Sequence, residues 1–161
     1  MKTGYQLFQE RNSGLKEAIQ DVEKTLGFSF PPIYIRFLEK YEVGMDKMKL
    51  DTVVREDGIT DIVGPVYYDG ELSRNLIIQD FYDLEEVQQN WTNIDQYEET
   101  GDAKLLGIAS LGSDPNGGLY VGIGDHNQDE IWRVNWETDP IFEKVSSSIE
   151  DFVQNLVQIE Q

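Results

Sequence analysis

Leu26-Gly27-Phe28-Ser29-Phe30-Pro31-Pro32-Ile33-Tyr34-Ile35-Arg36-Phe37-Leu38 is the stretch in which one helix must stop and a second must start. Gly27 can take the left-handed conformation that closes a helix, and proline is tolerated in a first turn because its missing N–H would be unpaired there anyway. Upstream, Leu15, Ala18, Ile19, Val22 and Leu26 recur at helical spacing after Ser13, which predicts a helix capped by Ser13 and closed at Gly27. Downstream, Tyr34, Phe37, Leu38 and Tyr41 give the second helix a single apolar stripe, with Gly44 as its stop. The two short helices pack as one corner.

Beyond this corner the period changes to that of strands. Thr52-Val53-Val54, Asp61-Ile62-Val63 and Val66-Tyr67-Tyr68 are separated by Asp57-Gly58, Gly64-Pro65 and Asp69-Gly70, which predicts short antiparallel strands between 50 and 79. Asp83 and Glu86 form a capping box ahead of Leu84, Val87 and Trp91, on a helix ending near Asn93. The acidic stretch 95–102 has no apolar period and reads as an exposed connection. Strands follow at 105–110, 118–123, 130–136 and 141–145, the middle two joined by the polar hairpin loop 124–129. Trp132, Val134 and Trp136 share one face of their strand, and aromatics so placed are expected in a core. Ser147 and Glu150 cap a last helix whose Ile149, Phe152, Val153 and Leu156 cover one face of the sheet.

At 161 residues and 18.5 kDa the chain fits one domain of about 150 residues, and its 18 aromatics supply a core. The absence of cysteine excludes a disulfide scaffold, thiolate zinc sites, iron–sulfur clusters and a cysteine nucleophile. No apolar run approaches the roughly 18 residues of a membrane span, and the first residues lack a signal-peptide stretch, so a soluble cytoplasmic protein is expected. Charge is uneven: residues 1–55 hold 9 basic against 8 acidic side chains, whereas residues 56–161 hold 4 against 23. The second balance, −19, disfavours nucleic acid and anionic membrane as ligands and favours basic proteins or cations, although an acidic surface also serves solubility alone.

No catalytic constellation qualifies. Gly122-x-Gly124 begins like a dinucleotide fingerprint, but Asn127 stands at the third glycine position and a strand follows where a helix is required. His126 is the only histidine and has no serine or cysteine near it in sequence, so it reads as a solvated loop residue. Asp125, Asn127 and Asp129 match the first three ligand positions of a calcium loop. The sixth position is Glu130 and the twelfth Trp136, so the motif fails and no metal or other cofactor is expected. Ser146, Ser147 and Ser148 are helix-cap residues, and Ser113-Asp114-Pro115-Asn116-Gly117-Gly118 is turn chemistry.

The order of these features resembles the SUKH superfamily, which includes bacterial immunity proteins of polymorphic-toxin systems and yeast cell-wall assembly regulators of the Smi/Knr type. The opening stretch Leu26 to Leu38 resembles the family's start. Ile108-Ala109-Ser110-Leu111-Gly112 with Gly117-Gly118-Leu119-Tyr120-Val121 is similar to its strand, turn and strand, and Val145 to Phe152 to its closing helix. Val43-Gly44-Met45 departs from the family's Asn-Gly-Gly. The resemblance implies an α+β fold, a mixed, mainly antiparallel sheet with helices packed against it, in a single domain over residues 1–161. It also implies a non-enzymatic protein that binds and neutralises a cognate toxin, here a basic, nuclease-type one. The alternative is an intracellular regulatory or scaffolding module without a toxin partner. The expected partner surface is the acidic loops: Glu98, Glu99 and Asp102; Asp114 and Asn116; and Asp125, Asp129 and Glu130.

Overall fold

The computed structural model of the chain describes residues 3–44, 47–49, 61–68, 71–92, 104–112 and 117–159. Helix α1 spans Lys16–Leu26 and ends on Gly27 at φ 87°, while α2 spans Pro32–Lys40 with Pro31 as its N-cap. Two boundaries differ from expectation. Leu15, not Ser13, is the N-cap of α1, and it makes no side-chain capping bond. Helix α2 stops before Tyr41, which turns extended and opens the short strand β2 (Tyr41–Glu42) against β1 (Gln9–Glu10); Gly44 lies beyond the end. Tyr41 stays buried all the same, because the extended backbone keeps its ring beside Phe37 and Phe8.

The main sheet has seven strands: β3 (Asp61–Tyr68), β4 (Glu71–Phe81), β5 (Leu105–Leu111), β6 (Gly117–Gly122), β7 (Ile131–Asn135), β8 (Phe142–Ser146) and β9 (Val157–Ile159). Their spatial order is β8-β7-β6-β5-β4-β3-β9, and every pair is antiparallel. With helices packed on the sheet, the fold is α+β. Thr52-Val53-Val54 lies outside the described residues.

Gly64-Pro65 does not separate two strands. It sits inside β3, where Gly64 pairs with Leu76 and Pro65 with Asn75. Both residues have a reason to be there. Strand β9 accompanies β3 only from Asp61 to Val63, so past that point β3 has, among the described residues, a neighbour on one side, and a sheet edge tolerates the missing N–H of proline. A Cβ on Gly64 would lie 2.6 Å from Cζ of Phe152, so the glycine makes room for that ring.

Phe152 belongs to α4 (Ile149–Gln154), which is capped by Ser148 rather than Ser147: Asp151 N–H donates to Ser148 Oγ at 3.1 Å. Helix α4 links β8 to β9, the two outer strands. In a flat sheet these would be about 29 Å apart, at roughly 4.8 Å per strand spacing. The link, residues 147–156, can reach only about 25 Å, from six helical residues at 1.5 Å each and extended flanks at about 3.3 Å. The sheet must therefore curl around α4, and the ion pair from Arg74 of β4 to Glu143 of β8, four strands away in the order, agrees with that curvature.

The concave side holds the core, in which Ile62, Leu76, Leu106, Leu119, Val121 and Ile131 of the sheet meet Ile19, Tyr34, Phe37, Phe152 and Leu156. Leu7, which ends a 3-10 turn at Gly4–Leu7, and Phe8 after it join the core, with the Phe8 ring 5.3 Å from Phe37 and 5.7 Å from Phe81. Helix α3 (Leu84–Gln89) forms on its capping box as expected, Glu86 N–H donating to Asp83 Oδ1 at 2.9 Å, but it ends well before Asn93.

Candidate protein-binding surface

The double proline leaves α2 with a specific deficit. The first turn of a helix has N–H groups without intrahelical acceptors, and Pro31 carries no side chain able to cap them. Pro32 has no N–H, and Ile35 N–H already reaches Pro31 O at 3.0 Å, so Ile33 and Tyr34 are left. Both donate to one carboxylate, that of Asp129: Ile33 to Oδ2 at 3.2 Å and Tyr34 to Oδ1 at 3.1 Å. At the other end Arg11 donates from Nε to Leu38 O at 3.0 Å and from an Nη to Tyr41 O at 3.1 Å. An anion at the N-terminus and a cation at the C-terminus both complement the helix dipole.

Asp129 is the last residue but one of the β6–β7 loop, which its bonds fasten to α2. It is 5% exposed and has φ 67°, a left-handed conformation that aspartate tolerates better than most residues. Asn127 fixes the other side: its Oδ1 accepts from Gly124 N–H at 2.9 Å and its Nδ2 donates to Lys104 O at 3.1 Å. Around these two anchors Asp125, His126 and Gln128 face solvent. Of the acidic residues expected to meet a partner, Asp125 is displayed, Glu130 is half-buried and pairs with Lys144 at 2.6 Å, and the Asp129 carboxylate is spent inside the fold. Glu98, Glu99, Asp102, Asp114 and Asn116 lie outside the described residues.

The convex face of the sheet next to this loop is also apolar. Gly107, Tyr120, Trp132 and Lys144 stand opposite one another across β5 to β8, and Gly118, Val134 and Phe142 form the adjacent row. Tyr120 lies over two glycines, with the Cβ positions of Gly107 and Gly118 each 3.4 Å from its ring. Leu105, Tyr120, Trp132, Val134, Ile141 and Phe142 form a second cluster, separate from the core. Trp132 is half-buried, and its indole N–H is shielded from water with no acceptor among the described residues. Trp136 departs from the expected core position. It lies just past the end of β7, 37% exposed, edge-on to Phe142 with ring centroids 5.6 Å apart.

On the opposite face of β7 Arg133 is buried at 4% exposure. It donates to Thr138 Oγ1 at 3.0 Å and Pro140 O at 3.1 Å, while its Nε faces Glu143 at 3.4 Å without hydrogen-bond geometry. These bonds secure the turn that joins β7 to β8.

One titratable group elsewhere is displaced. A hydrogen bond to the Asp80 side chain, helped by desolvation, pushes the Glu86 carboxyl up from 4.5 to about 7, against the lowering effect of its backbone bond at Asp83. The folded protein thus holds a proton that the unfolded chain has already released, so stability is expected to fall as pH rises from 4.5 to about 7. Urea midpoints followed across this window should fall less in Asp80→Asn than in the parent. Equal slopes would show that the two carboxyls do not share a proton.

The model of the SMI1/KNR4 family (SUKH-1) matches residues 15–155, from the end of the segment before α1 to the C-cap of α4. The chain belongs to the SMI1/KNR4 family. No curated protein and no solved structure matches it. In this SUKH-1 chain the family span includes both the double-proline start of α2 and Asp129, so the bond between them lies within the matched region. Among the described residues no helix is long and apolar enough to cross a membrane. A double-proline start without a local cap was itself a sign that an acceptor must come from elsewhere in the chain. Sequence spacing gave no pointer to Asp129 as its source.

Proposed function

We propose that this SUKH-1 protein is a cytoplasmic, non-enzymatic immunity protein that acts as one domain over residues 1–161 and neutralises a basic toxin domain by binding it. The observation that supports this reading is the −19 charge balance after residue 55, part of it displayed by Asp125 on a loop fixed from both sides. An acidic surface seated in a basic cleft excludes nucleic acid without chemistry, and it needs neither a cofactor nor a membrane. The contact residues assigned are Asp125 and Glu130, with Glu98, Glu99, Asp102, Asp114 and Asn116. Asp129 enters as the residue that holds the loop.

Co-expression of the chain with a candidate toxin domain, sought in the open reading frame adjacent to its gene, scored for survival and pull-down, tests the reading. Protection with a stable complex is expected. Toxicity unrelieved by the chain would favour a regulatory or scaffolding module instead. In the complex, Asp125→Lys combined with Glu130→Gln should slow association by about tenfold while changing dissociation less, and added salt should narrow the gap, because rim charges act on encounter over a Debye length of roughly 8 Å. Stopped-flow rates that are flat with salt and equal in both proteins would reduce the acidic surface to a solubility role.

A further inference from the structure

We infer that the convex sheet face around Trp132, Trp136 and Phe142 is the apolar anchor of the partner surface, and that it receives an apolar side chain set among basic residues on the toxin domain. The inference rests on the immunity reading and adds the site to it. Protein interfaces gain most of their affinity from a few aromatic residues surrounded by a polar rim, and this face has both parts. Its centre is the second apolar cluster, in which Leu105 and Val134 are fully buried and Tyr120, Trp132, Ile141 and Phe142 half-buried, and to which no helix contributes a residue among those described. Trp136 and Leu72 are the exposed large hydrophobic side chains among the described residues, and Trp136 extends the cluster through its contact with Phe142. Among the described residues β8 is the outermost strand here, paired on one side with β7.

The rim decides the occupant. Asp125 and Glu130 lie at the β6–β7 end of the face, and Glu137 and Asp139 on the β7–β8 turn at the other. The nearby cations are Lys104 and Lys144, and Lys144 is paired with Glu130. A basic partner complements this rim, whereas a second copy would set the same carboxylates against each other at a net charge of −18 per chain. The groove beside Tyr5 and Tyr41, on the helical side, carries Lys40 and the Arg36–Glu150 ion pair, and so offers the same partner no excess of carboxylates.

The test uses the same candidate toxin domain and the full chain. Trp136→Ala should bind it at least about tenfold more weakly, Trp136→Phe should retain most of the affinity, and Gln20→Ala on α1 should be unchanged. Because a variant could lose affinity by misfolding, iodide quenching of the parent's tryptophan fluorescence is followed as well, and it should drop in the complex. The free protein should sediment as a monomer. If the parent binds but Trp136→Ala binds equally well and quenching is unaltered, the anchor is overturned and the immunity reading stands. If the parent neither binds nor protects, the immunity reading fails and the anchor with it. A dimer that Trp136→Ala dissolves would assign the face to a second copy and overturn the inference.

Discussion

Asp129→Ala is expected to lower unfolding stability by about 3 kcal/mol, the sum of two charge-assisted bonds to buried helix N–H groups and the strain of alanine in a left-handed conformation. Ile33 and Tyr34 would be left without acceptors, because Pro31 has no side chain able to cap them. Asp129→Gly removes the carboxylate but not the conformational freedom, so it should fall about 1 kcal/mol short of the alanine variant's loss. Asp125→Ala, in the same loop but exposed, should leave the urea midpoint where it was. If Asp129→Ala cost no more than Asp125→Ala, the loop would not be what holds α2.

The second large effect is at the contact of α4 with the sheet. Gly64→Val places atoms where the Phe152 ring lies and should cost about 3 kcal/mol by overpacking, while Phe152→Ala should cost about 3–5 kcal/mol by opening a cavity. Together they should cost at least about 1 kcal/mol less than the sum, since valine partly fills the space the ring leaves. Urea unfolding of the four proteins gives the coupling directly. Strict additivity would mean that α4 does not rest on Gly64.

What was legible in the sequence was local. The stop at Gly27, the start at Pro31-Pro32, the capping box of Asp83 and Glu86 and the strands β5 to β8 each depend on neighbours within a few residues, so periodicity and cap chemistry locate them to within a residue or two. What was not legible depends on distant partners. Gly64-Pro65 has the composition of a turn, and only the ring of Phe152 and the early end of β9 make it a strand interior. Strand β9 is three residues long and exists because α4 delivers it to β3. Leu7 and Phe8 carry no period that marks them as core. Of the candidate surface, the exposure of Asp125 followed from its polar loop, whereas the inward turn of Asp129 follows from a need 95 residues away.

The alternation of fixed and free positions in the β6–β7 loop bears on how such a protein can change its target. Asn127 and Asp129 hold the backbone, whereas Asp125, His126 and Gln128 are exposed and form no hydrogen bond or ion pair among the described residues. Substitutions at these three positions therefore alter what the loop presents without altering where it stands. Selection for recognition and selection for foldability act on different residues of the same short segment. On the proposed immunity reading, a lineage whose toxin drifts could follow it here by single steps, each tolerated by the fold, as in a typeface recut on an unchanged frame.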